Sequence, residues 1–171
     1  GPATSTANFA LSEYAIANNT MVRMGSNGQI CATGLQGAQL IMDVVGYLSP
    51  STNTQVQLLN QPARILDTRS LGPAVASGQS PCFQMSSLGG IPPTAVGVML
   101  NVTAVGYVDF GWLTLFPAGQ VSPTTSSLNF DNLLAPQYAI ANGTIARLGS
   151  GGQVCIAVGH GFSHFVVDAT G

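Results

Sequence analysis

The chain contains an internal repeat, and this feature constrains its fold more than any other. The seven residues 14–20 return at 138–144 with a single substitution, and with small insertions the similarity covers residues 2–46 and 123–171. Two segments this similar are two copies of one structural unit. Matching positions include Asn18 and Asn142, Arg23 and Arg147, Gly25 and Gly149, Cys31 and Cys155, Asp43 and Asp168, and Gly46 and Gly171.

A fainter third copy lies between the other two. Its Asn-x-Thr triplet at 101–103 takes the place of the triplets in the flanking copies, and Leu113 begins a segment where Ile30 and Val154 begin theirs. We interpret the chain as three related units of about 57 residues, of which the first and third are the more similar copies. The predicted parts are an N-terminal half-repeat (2–50), a linker (51–61), a middle unit (62–122) and a C-terminal half-repeat (123–171).

Segments rich in β-branched and aromatic residues alternate with Gly, Pro, Asn and Ser, which predicts an all-β fold. Several segments are apolar on both faces, as expected for strands in a two-layer structure. We expect a β-sandwich of related β-units; a pseudo-threefold β-barrel or prism of three four-stranded units is the alternative. The predicted strands are Tyr14–Met24, Gln29–Thr33, Gln39–Leu48, Arg64–Asp67, Pro81–Met85, Ala95–Val105, Trp112–Phe116, Ser126–Phe130, Tyr138–Leu148, Gln153–Val158 and His164–Ala169.

Two short segments at the same place in the two half-repeats predict hairpin turns. They are Ser26-Asn27-Gly28 and Ser150-Gly151-Gly152. Asn-Gly and Gly-Gly adopt positive φ angles at little cost, which such turns require.

Charge is scarce, and this limits the possible partners. The chain has four arginines, no lysine and six carboxylates, so charged residues make up 6% of it. Four cations cannot neutralise a run of phosphates, which argues against nucleic acid as a partner. No apolar stretch approaches the 20 or so residues of a membrane-spanning helix. A surface so poor in charge favours a protein that associates into a polymer or layer, or a secreted module, at an extracellular or cell-surface location.

Six segments carry distinctive motifs: Pro62–Arg69, Leu100–Val105, Gly111–Gly119, Ser127–Phe130 and Val166–Gly171, with Met42–Tyr47 as an earlier copy of the last. On these motifs, residues 62–171 together resemble one complete repeat domain of secreted and surface proteins from actinobacteria and related bacteria. The N-terminal half-repeat resembles the second half of such a repeat. The resemblance implies an extracellular, non-catalytic module and supplies no activity.

The similar repeats run first half before second half, whereas this sequence opens on a second half. A half-repeat without its partner leaves an unpaired strand edge, which invites pairing with another chain. Such a heterologous contact does not close and therefore gives a head-to-tail polymer. Residues 1–5 lack the features of a signal peptide, so we expect either a removed leader or an excised piece. In an excised piece the argument for polymerisation would not apply.

The three cysteines leave one unpaired in any arrangement of disulfides. Within a full repeat, Cys82 and Cys155 are the possible pair. Cys31 is then expected to be a buried free thiol, with a bond between subunits as the alternative. The spacing matches no zinc site.

Six charged residues are expected to be structural. Asp67 and Arg69 flank a threonine, where the carboxylate would cap a turn; carbohydrate binding is the alternative. Paired arginine and aspartate inside each half-repeat would fix strand register. These pairs would join Arg23 with Asp43 and Arg147 with Asp168.

Asn18, Asn101 and Asn142 each begin an Asn-x-Thr sequence, a possible glycosylation site. A shared structural role in the strands is the preferred interpretation. His160 and His164 lack a third ligand, so no metal site is expected. Trp112 is expected to belong to a strand that enters the core.

The sequence offers no arrangement of catalytic residues and no cofactor motif, so we expect no enzyme and no cofactor. Two functions remain. The first is a structural subunit of an extracellular filament or surface assembly, a homopolymer joined head to tail through the N-terminal half-repeat. The second is a carbohydrate-binding adhesion module of a larger protein, with surface glycans as the partner. An exposed Trp112 would favour the second.

Overall fold

The computed structural model describes residues 5–8, 15–34, 37, 39–49, 55–132 and 138–171. Tyr14 of the first predicted strand lies outside this range, as do residues 51–54 of the predicted linker.

The described residues form nine strands and two short 3-10 turns, and no α-helix. Each strand is bounded by turn residues, as the alternation of apolar runs with Gly, Pro and Ser predicts. The strands are β1 (Ala63–Asp67), β2 (Val75–Ala76), β3 (Cys82–Gln84), β4 (Gly97–Val105), β5 (Gly111–Pro117), β6 (Leu128–Phe130), β7 (Ala139–Arg147), β8 (Gln153–Val158) and β9 (Phe162–Ala169); the 3-10 turns are Thr68–Ser70 and Ser150–Gly152.

Two antiparallel sheets pack face to face, which confirms the all-β sandwich. One sheet has the order β1-β9-β4-β7, with β2 also paired to β9, and the other has the order β3-β8-β5-β6. The core between them contains alternate residues of the long strands, such as Leu100, Val102, Ile156 and Val167, all buried. The described residues therefore do not form a pseudo-threefold barrel or prism.

Every strand pair in the sandwich joins the middle unit to the C-terminal half-repeat. The middle unit supplies β1 to β5, the C-terminal half-repeat supplies β6 to β9, and the two alternate in both sheets. The longest ladder, nine residue pairs, joins β4 to β7. Among the nine described strands, none pairs with another strand of its own unit. Each unit therefore depends on the other for its backbone hydrogen bonds.

The N-terminal half-repeat differs from the prediction. Its predicted strands Tyr14–Met24, Gln29–Thr33 and Gln39–Leu48 contain no strand among their described residues. Their counterparts β7, β8 and β9 pair only with strands of the middle unit. The middle unit that the structure describes is already paired with the C-terminal half-repeat, and local β-propensity alone does not make a sheet.

The two predicted turns do form, and they share their hydrogen bonds. Gly25 N–H donates to the Gln29 carbonyl at 2.9 Å and Gly28 N–H to the Gly25 carbonyl at 3.0 Å. The equivalent bonds at 149–153 have the same lengths. Gly28 and Gly152 both have positive φ, 71° and 74°. The prediction of hairpins was wrong for both turns. The second turn leads from β7 in one sheet to β8 in the other, and the described residues beside the first turn form no strands.

Candidate functional site

The described part of the N-terminal half-repeat exposes side chains whose counterparts form the core of the sandwich. Leu40, Met42 and Val44 are 64%, 60% and 87% exposed. At the matching positions of β9, Phe165, Val167 and Ala169 are completely buried. Alternate residues of a strand share one face, so this is an entire core-facing row left uncovered. Such a row is typical of an interaction surface.

The N-terminal half-repeat nevertheless keeps a local contact of the folded copy. The Asn142 side-chain amide donates to the Ser127 carbonyl at 2.7 Å, which ties the start of the half-repeat to β7. The Asn18 amide donates to the Thr6 carbonyl at the equivalent positions. Together with the shared turn, this contact indicates that the N-terminal copy has the local geometry of the C-terminal one. Its described residues form no strand ladder, whereas those of the C-terminal copy are paired with the middle unit.

An ion pair marks the boundary between the middle unit and the C-terminal half-repeat. Arg64 in β1 lies opposite Asp168 in β9, and its Nε donates to the carboxylate at 2.5 Å. This hydrogen bond is the main cause of the raised pKa of Arg64. The predicted pair of Arg147 with Asp168 was therefore wrong, because Asp168 faces the neighbouring unit rather than its own. Arg147 lies at the end of β7, opposite Gly97.

The predicted pair of Arg23 with Asp43 is also absent from the described part of the chain. Asp43 matches Asp168, and it forms no ion pair with any residue that the structure describes. Sequence reasoning missed Arg64 because it sought each aspartate's partner inside one unit. The signal that was available is the position of Arg64 in the segment that carries Asp67 and Arg69.

The disulfide marks the same boundary in the other sheet. Cys82 in β3 lies directly opposite Cys155 in β8, and the two are bonded. Cys155 is buried against Phe116 and Ala118. Cys31, the counterpart of Cys155, is free and exposed. The expectation of a buried thiol was wrong, because the middle unit that covers Cys155 has no equivalent over Cys31.

The Asp67-Thr68-Arg69 segment forms a compact turn after β1. Asp67 accepts the backbone N–H of Arg69 at 3.1 Å and a side-chain bond from Arg69 at 2.6 Å. These bonds lower the pKa of Asp67 to about 2, the side-chain bond having the largest effect. The carboxylate is thus engaged with its own turn, an arrangement that fits a structural role better than sugar binding.

The lowered pKa predicts that part of the stability is lost in acid. A carboxylate with a depressed pKa in the folded state stabilises it fully above the unfolded value of about 3.8, and this stability disappears as the pH falls towards 2. We expect the urea midpoint to fall between pH 4 and 2, and to fall less for Asp67→Asn. Unfolding curves at pH 2 to 6 measure this, and identical pH profiles for variant and wild type would contradict it.

Thr68 ties this turn to the core of the opposite unit. Its hydroxyl accepts from Phe165 N–H at 2.9 Å and donates to the Phe165 carbonyl at 3.2 Å. We expect Thr68→Val to reduce the free energy of unfolding by about 1–3 kcal/mol, since it leaves a buried N–H without its acceptor. Thr68→Ser retains the hydroxyl and is the control. Equal urea stability of the two variants would show that the hydroxyl contributes nothing.

Two of the three asparagines that begin Asn-x-Thr sequences, Asn101 and Asn142, lie in strands. Asn142 is 8% exposed and Thr144 is buried too, so both are strand residues of β7 that face inward. Asn101 is half-buried in β4, between β7 and β9. Asn142 lies opposite Val102, whereas Asn101 lies opposite Gly143 on the other face of the sheet, so the predicted shared role does not extend to Asn101. Asn18 and Asn142 do share a role, because each donates to a carbonyl at the start of its half-repeat.

The two histidines have different surroundings. His160 stacks on Phe110 at 4.1 Å between ring centroids and approaches Asp109 at 3.4 Å. His164 lies in β9, with its Nδ1 3.3 Å from the Thr68 hydroxyl. Among the described residues, no three His, Cys, Asp or Glu side chains are grouped as metal ligands would be.

Trp112 does not enter the core, contrary to expectation. The alternation of β5 places Leu113 in the core and Trp112 on the outer face, opposite Asn129 of β6. Trp112 is 37% exposed, and the backbone of Gly159 lies so close to the indole that a Cβ would not fit. A shallow depression there is lined by Trp112, Asn129 and Ala15, the last from the N-terminal half-repeat.

No protein family, curated protein or solved structure matches the chain at a significant level of similarity. Within the described residues, no helix is long and apolar enough to span a bilayer. The internal repeat is therefore the comparison that informs function.

Proposed function

We propose that the protein is a non-enzymatic structural subunit of an extracellular filament or cell-surface assembly. It polymerises head to tail through strand complementation by its N-terminal half-repeat. One observation carries the proposal: the described row Leu40, Met42 and Val44 is exposed where the matching residues of the folded copy are completely buried.

The energetics favour covering this row. Burying a Val, Leu or Met side chain contributes about 1.5–3 kcal/mol. A micromolar contact needs a net free energy of about −8 kcal/mol after the costs of association. Burial of several such side chains, together with the backbone hydrogen bonds of two or three strands, contributes towards this. The low charge of the surface adds little repulsion between copies, since the net charge is only −2.

The sandwich also offers edges at which assembly can continue. β7 ends one sheet and β6 ends the other, both on the side of the C-terminal half-repeat. Nine residues of β7 present an edge without a further strand among the described residues. Edge strands of this length are natural sites of pairing with another chain.

Negative-stain electron microscopy, with light scattering after size-exclusion chromatography, tests the proposal on the full chain. We expect regular fibres or large oligomers whose size grows with protein concentration. A monodisperse particle of about 17.5 kDa at high micromolar concentration would reject polymerisation.

The exposure of Trp112 beside Asn129 favours the alternative, a carbohydrate-binding adhesion module. Sugar sites combine an aromatic face with amide or carboxylate groups. A glycan array on wild type and Trp112→Ala tests it, with Tyr138→Ala, an exposed aromatic outside the depression, as control. Binding that Trp112→Ala alone removes would establish the module, and absence of binding to all glycans would reject it.

A further inference from the structure

The described sandwich has four sheet edges, and three of them are protected against pairing with another chain. β1 carries Arg64 and Asp67, and its register on β9 shifts between Arg64 and Leu66. β2, which lies beside β1 on β9, has two residues, and β3 and β6 have three each. Charge, irregular register and shortness are the usual features that keep a sheet edge from binding another strand.

The fourth edge, the outer edge of β7, has none of these features. Nine consecutive residue pairs join β7 to β4 without a shift in register. No charged residue and no proline occurs before Arg147, the last residue of the strand. Among the described residues, no strand and no backbone hydrogen bond reaches this edge. A long, regular and uncharged edge is a surface to which a further strand can add.

Two hydrogen bonds beyond the ends of the β4–β7 ladder show which residues of β7 face outward. Gly106 N–H donates to the Tyr138 carbonyl at 2.9 Å, and Leu148 N–H donates to the Val96 carbonyl at 3.0 Å. Bonded residues alternate along an antiparallel strand, so the even-numbered residues of β7 bond to β4. The others turn their N–H and C=O groups to the free edge. They are Ala139, Ala141, Gly143, Ile145 and Arg147.

Two such edges complement each other in one antiparallel register. With a twofold axis at Gly143, that residue faces itself, Ala141 faces Ile145, and Ala139 faces Arg147. All the outward residues then exchange both backbone hydrogen bonds, whereas a slide by two residues in either direction leaves some unpaired. The two copies of Arg147 lie roughly 26 Å apart along the ladder. This separation exceeds the screening length of about 10 Å in 0.1 M salt, so the like charges do not oppose the pairing.

We infer that two copies of the protein pair through the outer edges of β7, antiparallel and centred on Gly143. The pairing joins the two β4–β7 sheets into one continuous sheet. The match of the edge with itself identifies the occupant as a second copy, because a twofold contact uses the same patch on both subunits. This inference goes beyond the proposed function: it uses no residue of the N-terminal half-repeat and adds a lateral contact between subunits.

The register supplies a charge-reversal test, because Gly143 faces itself across the twofold axis. Gly143→Lys and Gly143→Glu each place like charges opposite one another in a homodimer, and their mixture pairs opposite charges. The sandwich accommodates both, since Gly143 does not have a positive φ and nothing lies within 4 Å of the position of a Cβ. The control variants are Val121→Lys and Val121→Glu, at a 91% exposed position outside β7.

All these variants are made in the full chain carrying Met42→Asp, the parent for this test. Met42 is exposed and lies outside the sandwich, so the substitution leaves β7 unchanged. Under the proposed function it suppresses head-to-tail assembly, which would otherwise obscure a dimer. Sedimentation equilibrium at low ionic strength measures the dissociation constants, and circular dichroism verifies that each variant is folded.

We expect the parent to form dimers of about twice 17.5 kDa. Each Gly143 variant alone should dimerise at least about fivefold more weakly than the parent, and their mixture at least about fivefold more tightly than either variant alone. The Val121 variants, alone or mixed, should dimerise like the parent. A parent that stays monomeric at high micromolar concentration, or a mixture that associates no more tightly than its components, would overturn the pairing.

Hydrogen exchange of the parent, measured by NMR, needs no substitution in β7. The amides of Ala141, Gly143 and Ile145 face the free edge, whereas those of Asn142 and Thr144 already bond to β4. We expect exchange of the outward amides to slow at least about tenfold between low and high micromolar concentration, and exchange of the inward ones to stay the same. Outward amides that exchange equally fast at both concentrations would overturn the pairing.

The two proposals fail in different ways. Wild-type fibres, together with a parent that shows no dimer and no protection of Gly143, would overturn the β7 pairing and leave polymerisation intact. Dimers that respond to the charge at position 143, from a protein whose wild type forms no fibres, would overturn the filament and leave the β7 pairing intact.

Discussion

Met42→Asp is expected to stop assembly while leaving the sandwich as stable as in wild type. Met42 is exposed in the isolated chain, so a charge there costs the monomer nothing. Under the proposed function the assembly covers Met42, and its counterpart Val167 in the folded copy is completely buried. Losing the burial of the methionine costs about 1.5–3 kcal/mol, and burying a carboxylate without a partner costs more. The critical concentration for assembly should therefore rise at least tenfold.

The matched substitution Val167→Asp distinguishes the roles of the two half-repeats. It places the same charge at the same position of the copy that already belongs to the core. We expect a loss of at least about 3 kcal/mol in the free energy of unfolding, a large part of the roughly 5–15 kcal/mol of an ordinary domain. Urea denaturation measures the effect of Val167→Asp, and sedimentation measures the effect of Met42→Asp. Equal assembly of Met42→Asp and wild type would remove Met42 from the proposed contact.

Removing the Cys82–Cys155 disulfide is expected to lower the free energy of unfolding by about 2–4 kcal/mol. The bond joins residues 73 positions apart, so it closes a long loop and restricts the unfolded chain strongly. Cys82→Ala is the cleaner variant, because Cys82 is exposed in β3 whereas Cys155 is buried. Urea unfolding with and without a reducing agent measures the change.

The reducing agent supplies the control for this prediction. Wild type in reductant should be about as stable as Cys82→Ala, and the variant itself should not respond. A variant that reductant destabilises further, or a wild type that it leaves unchanged, would show that this bond is not what stabilises the sandwich.

The strands of the sandwich were largely predictable, because each consists of apolar residues bounded by turn signals. Gln153–Val158 was predicted with its observed bounds, and the predicted Tyr138–Leu148 exceeds β7 by one residue at each end. The strands predicted in the N-terminal half-repeat are absent from its described residues for a reason that local sequence does not contain. Tyr138–Leu148 and Tyr14–Met24 have nearly the same residues, and only the first has β4 beside it.

The partners in the ion pairs also could not be predicted from local sequence. Asp43 and Asp168 were singled out correctly as matching positions, but repetition suggests partners inside each unit. The fold instead alternates strands of two units, so the partner of Asp168 is Arg64, more than a hundred positions earlier. Strand order decides such pairings, and no local pattern encodes it. The orientation of Trp112 was not predictable either. The sequence shows that the residues of β5 alternate between two faces, but it does not show which face meets the core.

β1 begins and β9 ends at the same corner of the sandwich, and this determines how the sandwich would unfold under mechanical tension. Ala63 lies opposite Ala169, and Leu59 N–H donates to the Thr170 carbonyl at 2.9 Å. The polypeptide thus reaches and leaves the sandwich at one point. Tension between residues 59 and 171 would break the hydrogen bonds of β1 and β9 one after another, as in unzipping, instead of shearing a whole ladder at once. The resistance of one such sandwich to tension between these two residues would therefore be low.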